Sequence, residues 1–496
     1  MRVTDIAKPE AKGPDAMKTK ILWLLACAAI PNVAAAEPAR DLYRGVTLID
    51  PVAQTATPDS YILVDEGRII AIGKGKPRNA KTARQHDFTG LYAIPGLIDT
   101  HAHVTLGTVS IKMEDGKPRI RNNPTDAITT HNARTLLAFG VTTIRNPGGD
   151  VADSQAYVAQ RKSGALLGPE MIYAGGIIDA APITIERLAT PVTPGRSIGT
   201  MVAEQAKSGA RYVKLYTSLS EAQLGEGIAA AHAQGMRAIA HLGDVSWTRA
   251  AELGIDGLVH MMPISPALLP AAKREAYLKT RRVGAFEFFE WYEAADLDSP
   301  EVKAMIATLA RRKVTVDATL VAFQPAFFGN DPALLGRDRT LDHPDMVANW
   351  HGGFRFDLGW KADDYARAQK VWPKVLDLTR RLYEAGVPLT LGTDQANPFI
   401  TPGISMSREM ALHREAGIPA WAILRMATSD AAKTIGIGAR TGKLKRGMEA
   451  DIVFLDADPV ADLTNVARVR WVVSDGVLHA HRDLLPAKST IQGDMK

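Results

Sequence analysis

The sequence predicts an α/β fold, a (β/α)8 TIM barrel with a small β-sandwich domain built from both chain ends. Three observations predict it. Between residues 93 and 397, eight short apolar runs alternate with stretches of helical periodicity. Several of those stretches stop at a glycine (Gly140, Gly209, Gly235 or Gly386) just before the next run, as a helix closing in the left-handed conformation should. The regions on either side carry β-rich runs instead. Near-continuous apolar strands separated by helices imply a parallel sheet buried on both faces. Eight such units suggest closure into a barrel, whose functional face lies at the strands' C-terminal ends.

Taken in order, residues 1–36 read as an address. Lys18 and Lys20 precede the apolar run 21–30, and Ala34-Ala35-Ala36 supplies small residues before Glu37. Charged, apolar, then small is the order of a secretory signal peptide. The apolar run is too short for a bilayer, which takes roughly 20 residues. A secreted or periplasmic location without stable membrane insertion is therefore expected. Leu24-Leu25-Ala26-Cys27 also resembles a lipid-attachment box, which leaves a lipoprotein as the alternative. Cys27 is the only cysteine, so a cleaved chain has neither disulfides nor thiolates, and nitrogen and oxygen atoms must hold any metal.

Residues 37–92 hold the first part of the sandwich, including 61–72, two β-rich runs around an Asp-Glu-Gly turn. Residues 437–496 echo it at 450–455 and 470–476. Each flank alone has too few strands for a stable β domain, so the two are expected to pair. Residues 93–436 form the barrel, with runs at 92–105, 140–147, 170–178, 212–217, 237–244, 257–262, 314–321 and 387–397. Helical stretches such as 126–139, 197–209, 221–234 and 300–312 fall between them. Two long connections, 263–313 and 322–364, interrupt the spacing; long ordered loops of this kind often act as lids.

Charge excludes some functions. Of the net +5, the first 36 residues hold five basic and three acidic groups, which leaves +3 on the remaining chain. So small a charge gives no electrostatic case for nucleic acid or an anionic membrane. The partner expected is a small-molecule substrate, with homo-oligomer formation left open.

The sharpest chemical feature is Pro95-Gly96-Leu97-Ile98-Asp99-Thr100-His101-Ala102-His103. Strand residues two apart face the same side, so His101 and His103 could grip one cation at a barrel mouth. Other runs end similarly. Lys214 closes Tyr212-Val213-Lys214, His241 closes Ile239-Ala240-His241, His260 closes Leu258-Val259-His260, and Asp394 closes Gly392-Thr393-Asp394. Polar residues gathered at that face of a barrel read as catalytic. Lys214 could instead pair with Asp394.

These motifs, with Gly140-Val141-Thr142-Thr143-Ile144-Arg145 and the tail 442–453, resemble the amidohydrolase superfamily, specifically its imidazolonepropionase-like and prolidase-like branch. The resemblance covers almost the whole chain after residue 36. It implies two divalent metal ions of the Zn2+ type. His101, His103 and Asp394 would hold one ion and His241 and His260 the other, with carboxylated Lys214 bridging them. It also implies a hydroxide shared by the metals as nucleophile, with Asp394 as the catalytic proton carrier. The function so implied is hydrolysis of an amide or peptide C–N bond in a dipeptide or N-acyl amino acid. A mononuclear cyclic-amide hydrolase or deaminase, or a lactone or ester hydrolase at the same centre, are the alternatives. Two departures stand out: Arg145-Asn146 replaces the common Arg-Asp, and Tyr216-Thr217-Ser218-Leu219 replaces a Gly-Gly element.

Further residues have two readings each. Tyr216 could reach substrate or pack beneath loops. Asp244 lies where deaminases of the superfamily carry an acid, or caps the following helix. Phe323, Phe327, Phe328, Trp350 and Arg355 could line a pocket or form the long loop's own core.

Overall fold

The computed structural model describes residues 40–486, except 79, 115–116, 182, 184, 186, 283 and 353–358. Residues 1–36, expected to be a signal peptide, and Arg355 lie outside these described residues, and Cys27 falls within the former. In chain order the first strands are β1 (Asp41–Asp50), β2 (Thr55–Asp65), β3 (Arg68–Lys74), β4 (Arg84–Asp87), β5 (Tyr92–Pro95) and β6 (Leu97–Asp99). Next come β7 (Thr108–Glu114), β8 (Lys117–Asn123), β9 (Val141–Asn146), β10 (Glu170–Ala180), β11 (Ala189–Val192) and β12 (Tyr212–Leu215). The remainder are β13 (Arg237–Ala240), β14 (Gly257–Val259), β15 (Thr315–Asp317), β16 (Leu389–Thr390), β17 (Ile452–Leu455), β18 (Val469–Ser474) and β19 (Val477–Ala480).

Eight of these strands lie in chain order in one parallel sheet, β6-β9-β10-β12-β13-β14-β15-β16, with β11 added beside β10. Each of the eight apolar runs contributes one of the eight. The sheet curls until its ends meet: the Thr100 N–H donates to the Leu391 carbonyl at 3.0 Å, and the Asp394 N–H to the His101 carbonyl at 2.7 Å. Helices cover the outside and begin where capping residues dictate. Thr125 caps Asp126–Ala138, Ser197 caps Ile198–Lys207, and Ser299 caps Pro300–Arg312. Ser220 and Gln223 make a reciprocal capping box for Glu221–Ala233.

The flanks pair with each other as one continuous sheet, ordered β19-β18-β17-β5-β1-β2-β3, with β4 on β1. The junction is the antiparallel pair β5 and β17, Pro95 opposite Ile452. Tyr43, Phe88 and Phe454 pack as aromatic neighbours on it, and Trp471 stacks on Phe88 at 5.7 Å between ring centroids. The chain passes from this sheet into the barrel at Gly96. A Cβ there would collide with the Thr142 hydroxyl, so the crossover needs a residue without a side chain.

The long connections differ from expectation, because much of each is helical. Besides the expected helix Pro300–Arg312, the first contains Ala271–Thr280 and Glu287–Ala294. The second contains Leu320–Phe327, Pro332–Gly336 and Pro344–Gly352, and Ala362–Glu384 follows. Phe289, Trp291 and Tyr292 on consecutive faces of one short helix are all fully buried. A helix buried around more than one face shows no amphipathic stripe, so periodicity misses it. A hairpin, β7–β8, follows the first barrel strand and was also missed. Among the described residues, no helix is long and apolar enough to cross a membrane.

Candidate metal centre

The site is assembled at the C-terminal ends of the barrel strands. Beyond β6, the His101 N–H donates to Asp99 Oδ1 at 3.0 Å. The same carboxylate accepts from the Thr393 N–H at 3.1 Å and from its hydroxyl at 2.6 Å. Asp99 therefore ties the segment bearing His101 to the one bearing Asp394. His101 Nε2 lies 3.3 Å and His103 Nε2 3.4 Å from Asp394 Oδ1. The other nitrogen of His103, Nδ1, is 2.8 Å from the Gly148 carbonyl. That contact orients the ring toward Asp394, the usual second support of a ligating histidine.

His260 follows β14, and its Nδ1 lies 2.7 Å from the Thr319 hydroxyl and 3.8 Å from Asp394 Oδ2. Ligand atoms of His101, His260 and Asp394 all fall within 4.8 Å of one another, room for a shared cation. The His241 ring, after β13, sits 4.6 Å from that of His260. Both His260 (φ +69°) and Asp394 (φ +57°) adopt the left-handed backbone, uncommon for residues with a Cβ and frequent where a site is held under constraint.

Lys214, on β12, is buried, and its Nζ has no hydrogen-bond partner among the described residues. It does not pair with Asp394. Burial pulls its amine down to about 7, with Asp394 opposing that shift. Burial likewise lowers His241 to about 3, and Lys214 adds to the effect. His260 is held well below its ordinary value, by burial and then by His241. For Asp394, burial works the other way, yet His101 and His103 override it and keep the carboxyl well below the usual range. His103, His241 and His260 thus favour the neutral imidazole, while for His101 burial is opposed by Asp394 and Asp317, which hold it above its ordinary value, beside one carboxylate and an amine poised to lose its proton. His241 Nδ1 is a second buried nitrogen without a partner. Buried polar atoms left unpaired in a native fold call for an explanation. His101 Nδ1 is a third such nitrogen, and nitrogen and oxygen donors of this kind, with three nitrogens idle, fit divalent cations of the zinc type.

Sequence reasoning passed over several residues here. Asp317 ends β15 and accepts from the Thr100 hydroxyl at 2.9 Å and from Arg145 Nη2 at 3.0 Å. Its Oδ2 also lies 3.6 Å from His101 Nδ1. Arg145 Nε donates to the Thr100 carbonyl at 2.6 Å. A charged residue closing an apolar strand, the rule that singled out Lys214, would have found Asp317.

The remaining candidates separate. Tyr216, half-buried, packs edge-on to His241 at 5.1 Å between centroids. Phe323 lies edge-on to His260 at 5.6 Å. Phe327 and Phe328 turn away to pack on Trp372. Trp350 is buried beneath Arg339, whose guanidinium lies 4.7 Å above the ring. Asp244 caps nothing: Ser246 caps the next helix, and the exposed Asp244 carboxylate pairs with Arg281 at 2.9 Å.

A curled parallel sheet gathers imidazoles and a carboxylate at its C-terminal mouth, the face on which barrel enzymes carry their active sites. The amidohydrolase family's sequence profile matches residues 92–478, and the chain belongs to that family, whose members are metal-dependent. The imidazolonepropionase of Xanthomonas campestris pv. campestris (strain 8004) is 35% identical over 85 residues, 16% of this chain and 20% of that protein. The N-substituted formamide deformylase of Arthrobacter pascens is 29% identical over 188 residues, 35% of this chain and 33% of that protein. The chain thus spans a third or less of the curated relatives it matches. Among solved structures, a Xaa-Pro dipeptidase with bound methionine superposes with a TM-score of 0.64 at 20% identity, covering 89% of this chain and all of that one. A bottromycin amidohydrolase gives 0.67 at 23% identity, covering 92% of each chain. At those identities the likeness is one of fold.

Proposed function

We propose that the protein hydrolyses an amide or peptide bond in a small substrate, a dipeptide or N-acyl amino acid, at a centre of two zinc-like ions. The buried, unpaired Lys214 amine among four histidines and Asp394 carries this reading. His101, His103 and Asp394 would hold one ion and His241 and His260 the other, with Lys214 carboxylated by CO2 between them. Carboxylation requires a neutral amine, which burial supplies near neutral pH. When bound, such ions contribute Lewis acidity toward a carbonyl and a water of lowered pKa.

The chain's own groups do the rest. Asp394 stays ionised across the neutral range, so its carboxylate can take a proton from the attacking water and return it to the leaving nitrogen. Asp99, Gly148 and Thr319 hold the surrounding residues in place. Leu106, Ile177, Leu188, Ala396 and Tyr216, drawn from several strand ends, join one apolar cluster. The export signal expected in residues 1–36 supports placing this activity in the periplasm or outside the cell.

The test is release of primary amine from dipeptides and N-acyl amino acids by zinc-loaded protein in bicarbonate. Turnover that a chelator abolishes and zinc restores is the expected result. A blank library with metal still bound overturns the amide reading, and ammonia release or lactone opening would then identify the alternative.

A further inference from the structure

We infer that Glu409, on helix Ile404–Glu415, is a positioning residue for His260, acting through Thr319. Helix Leu320–Phe327 begins immediately after Thr319. The first N–H groups of any helix lack partners within it, and a threonine at this position ordinarily supplies its own hydroxyl. Here Thr319 makes no such cap, because its hydroxyl faces His260 Nδ1 at 2.7 Å. The duty passes to another helix. Glu409, fully buried on Ile404–Glu415, accepts from the Leu320 N–H at 3.0 Å and the Val321 N–H at 2.7 Å, one to each carboxyl oxygen.

The two contacts form one device. A carboxyl group that satisfies both leading N–H groups frees the Thr319 hydroxyl for the imidazole. Without Glu409, the same hydroxyl is the nearest acceptor for those N–H groups, and His260 loses the contact that sets its ring. Thr319 sits at φ +45°, a backbone that must be held by what surrounds it. His413, one turn along from Glu409, has its Nδ1 3.4 Å from Glu409 Oε1 and 2.9 Å from the Glu409 carbonyl, which fixes the pair inside the core. Phe323 rides on the anchored helix against the His260 ring, so the same clamp sets the wall beside it.

This rests on the reading of His260 as a metal ligand, and the experiment separates the two. Cobalt-loaded wild type, Thr319→Val, Glu409→Gln and the double variant are compared by equilibrium dialysis and by the visible cobalt spectrum, alongside melting temperature. A glutamine keeps the volume but offers one acceptor where two N–H groups need one each. Each single variant is expected to weaken cobalt retention on the order of tenfold, as loss of a ligand's supporting contact does. Both should shift the cobalt bands, and the double variant should be no worse than Thr319→Val alone. A Glu409→Gln protein that melts earlier yet keeps wild-type retention and spectrum overturns the proposal, and so do losses that simply add. Should that variant not fold, Glu409→Asp, which withdraws the carboxylate by one methylene, takes its place. Undiminished cobalt binding in His260→Ala would instead sink the ligand reading beneath it.

Discussion

The flank sheet and the barrel mouth each bury a charged group, and they treat it in opposite ways. In the flank, the Asp41 carboxylate receives both arms of Arg84 at 2.6 and 2.9 Å and lies 2.7 Å from His86 Nε2. In the mouth, the Lys214 amine is equally hidden and has no partner. Of the flank's left-handed non-glycine residues, Gln54, Glu66 and Asp475 sit in turns between paired strands, and Asp59 lies within β2. Those of the mouth, His260 and Asp394, carry the site itself. One region spends its polar groups on cohesion, and the other keeps them available for something not made of protein.

The largest effect should come from Asp394→Asn. Turnover is expected to fall by about 10^2 to 10^4-fold, the range for losing a positioned proton carrier, with the melting temperature little changed. A variant that retains activity, joined by an active His101→Ala, breaks the assignment of the mouth as the reactive region.

Next is Lys214→Met, which should lower turnover less than Asp394→Asn and yet make the metal-free protein more stable. Removing an unsatisfied buried donor is worth about 1–3 kcal/mol. The sign with pH follows from its depressed titration, about 7 in the fold against an ordinary 10.5. Below about 7 both folded and unfolded chains hold the proton, so the folded protein bears the full cost of a buried ammonium. Between those values the unfolded chain alone holds it, so wild-type stability rises with pH. The methionine advantage should therefore shrink from neutral toward alkaline conditions, read from denaturant midpoints. A constant or growing advantage would contradict the geometry.

The smallest is Asp41→Asn in the flank, expected to cost on the order of 1 kcal/mol with kcat/KM unchanged, since Arg84 is largely exposed and its pairing is screened. A change in kcat/KM there would erase the contrast between the two regions.

What could be read from the sequence divides along the same line. Each barrel strand is a compact apolar run closed by glycine or a polar residue, so local composition betrays it, and Lys214 and Asp394 stood out as charges at the ends of such runs. Helices such as Glu287–Ala294 carry aromatic residues on several faces, and their periodicity disappears once the connection is buried. The hairpin β7–β8 had a signal in Asp115-Gly116 between two β-rich stretches, which the barrel pattern overshadowed. Asp99, Thr319 and Glu409 were illegible for another reason: their roles are defined by partners far along the chain, as Asp99 is by Thr393, and no local pattern encodes that. Asp244 shows the converse, a residue in a suggestive place whose side chain points elsewhere.

The pairing of β5 with β17 has a consequence for how the molecule comes into being. Strand β5 follows the first four strands, but its neighbour β17 comes only after the barrel strands, so the sheet stays open along that edge until the entire barrel has been made. Contacts between such distant parts of a chain form late and slowly. An open strand edge in the interim invites unwanted partners. The final zipper of β17 onto β5 makes two distant parts of the chain a single fastening, in which a strand made after the barrel protects one made before it.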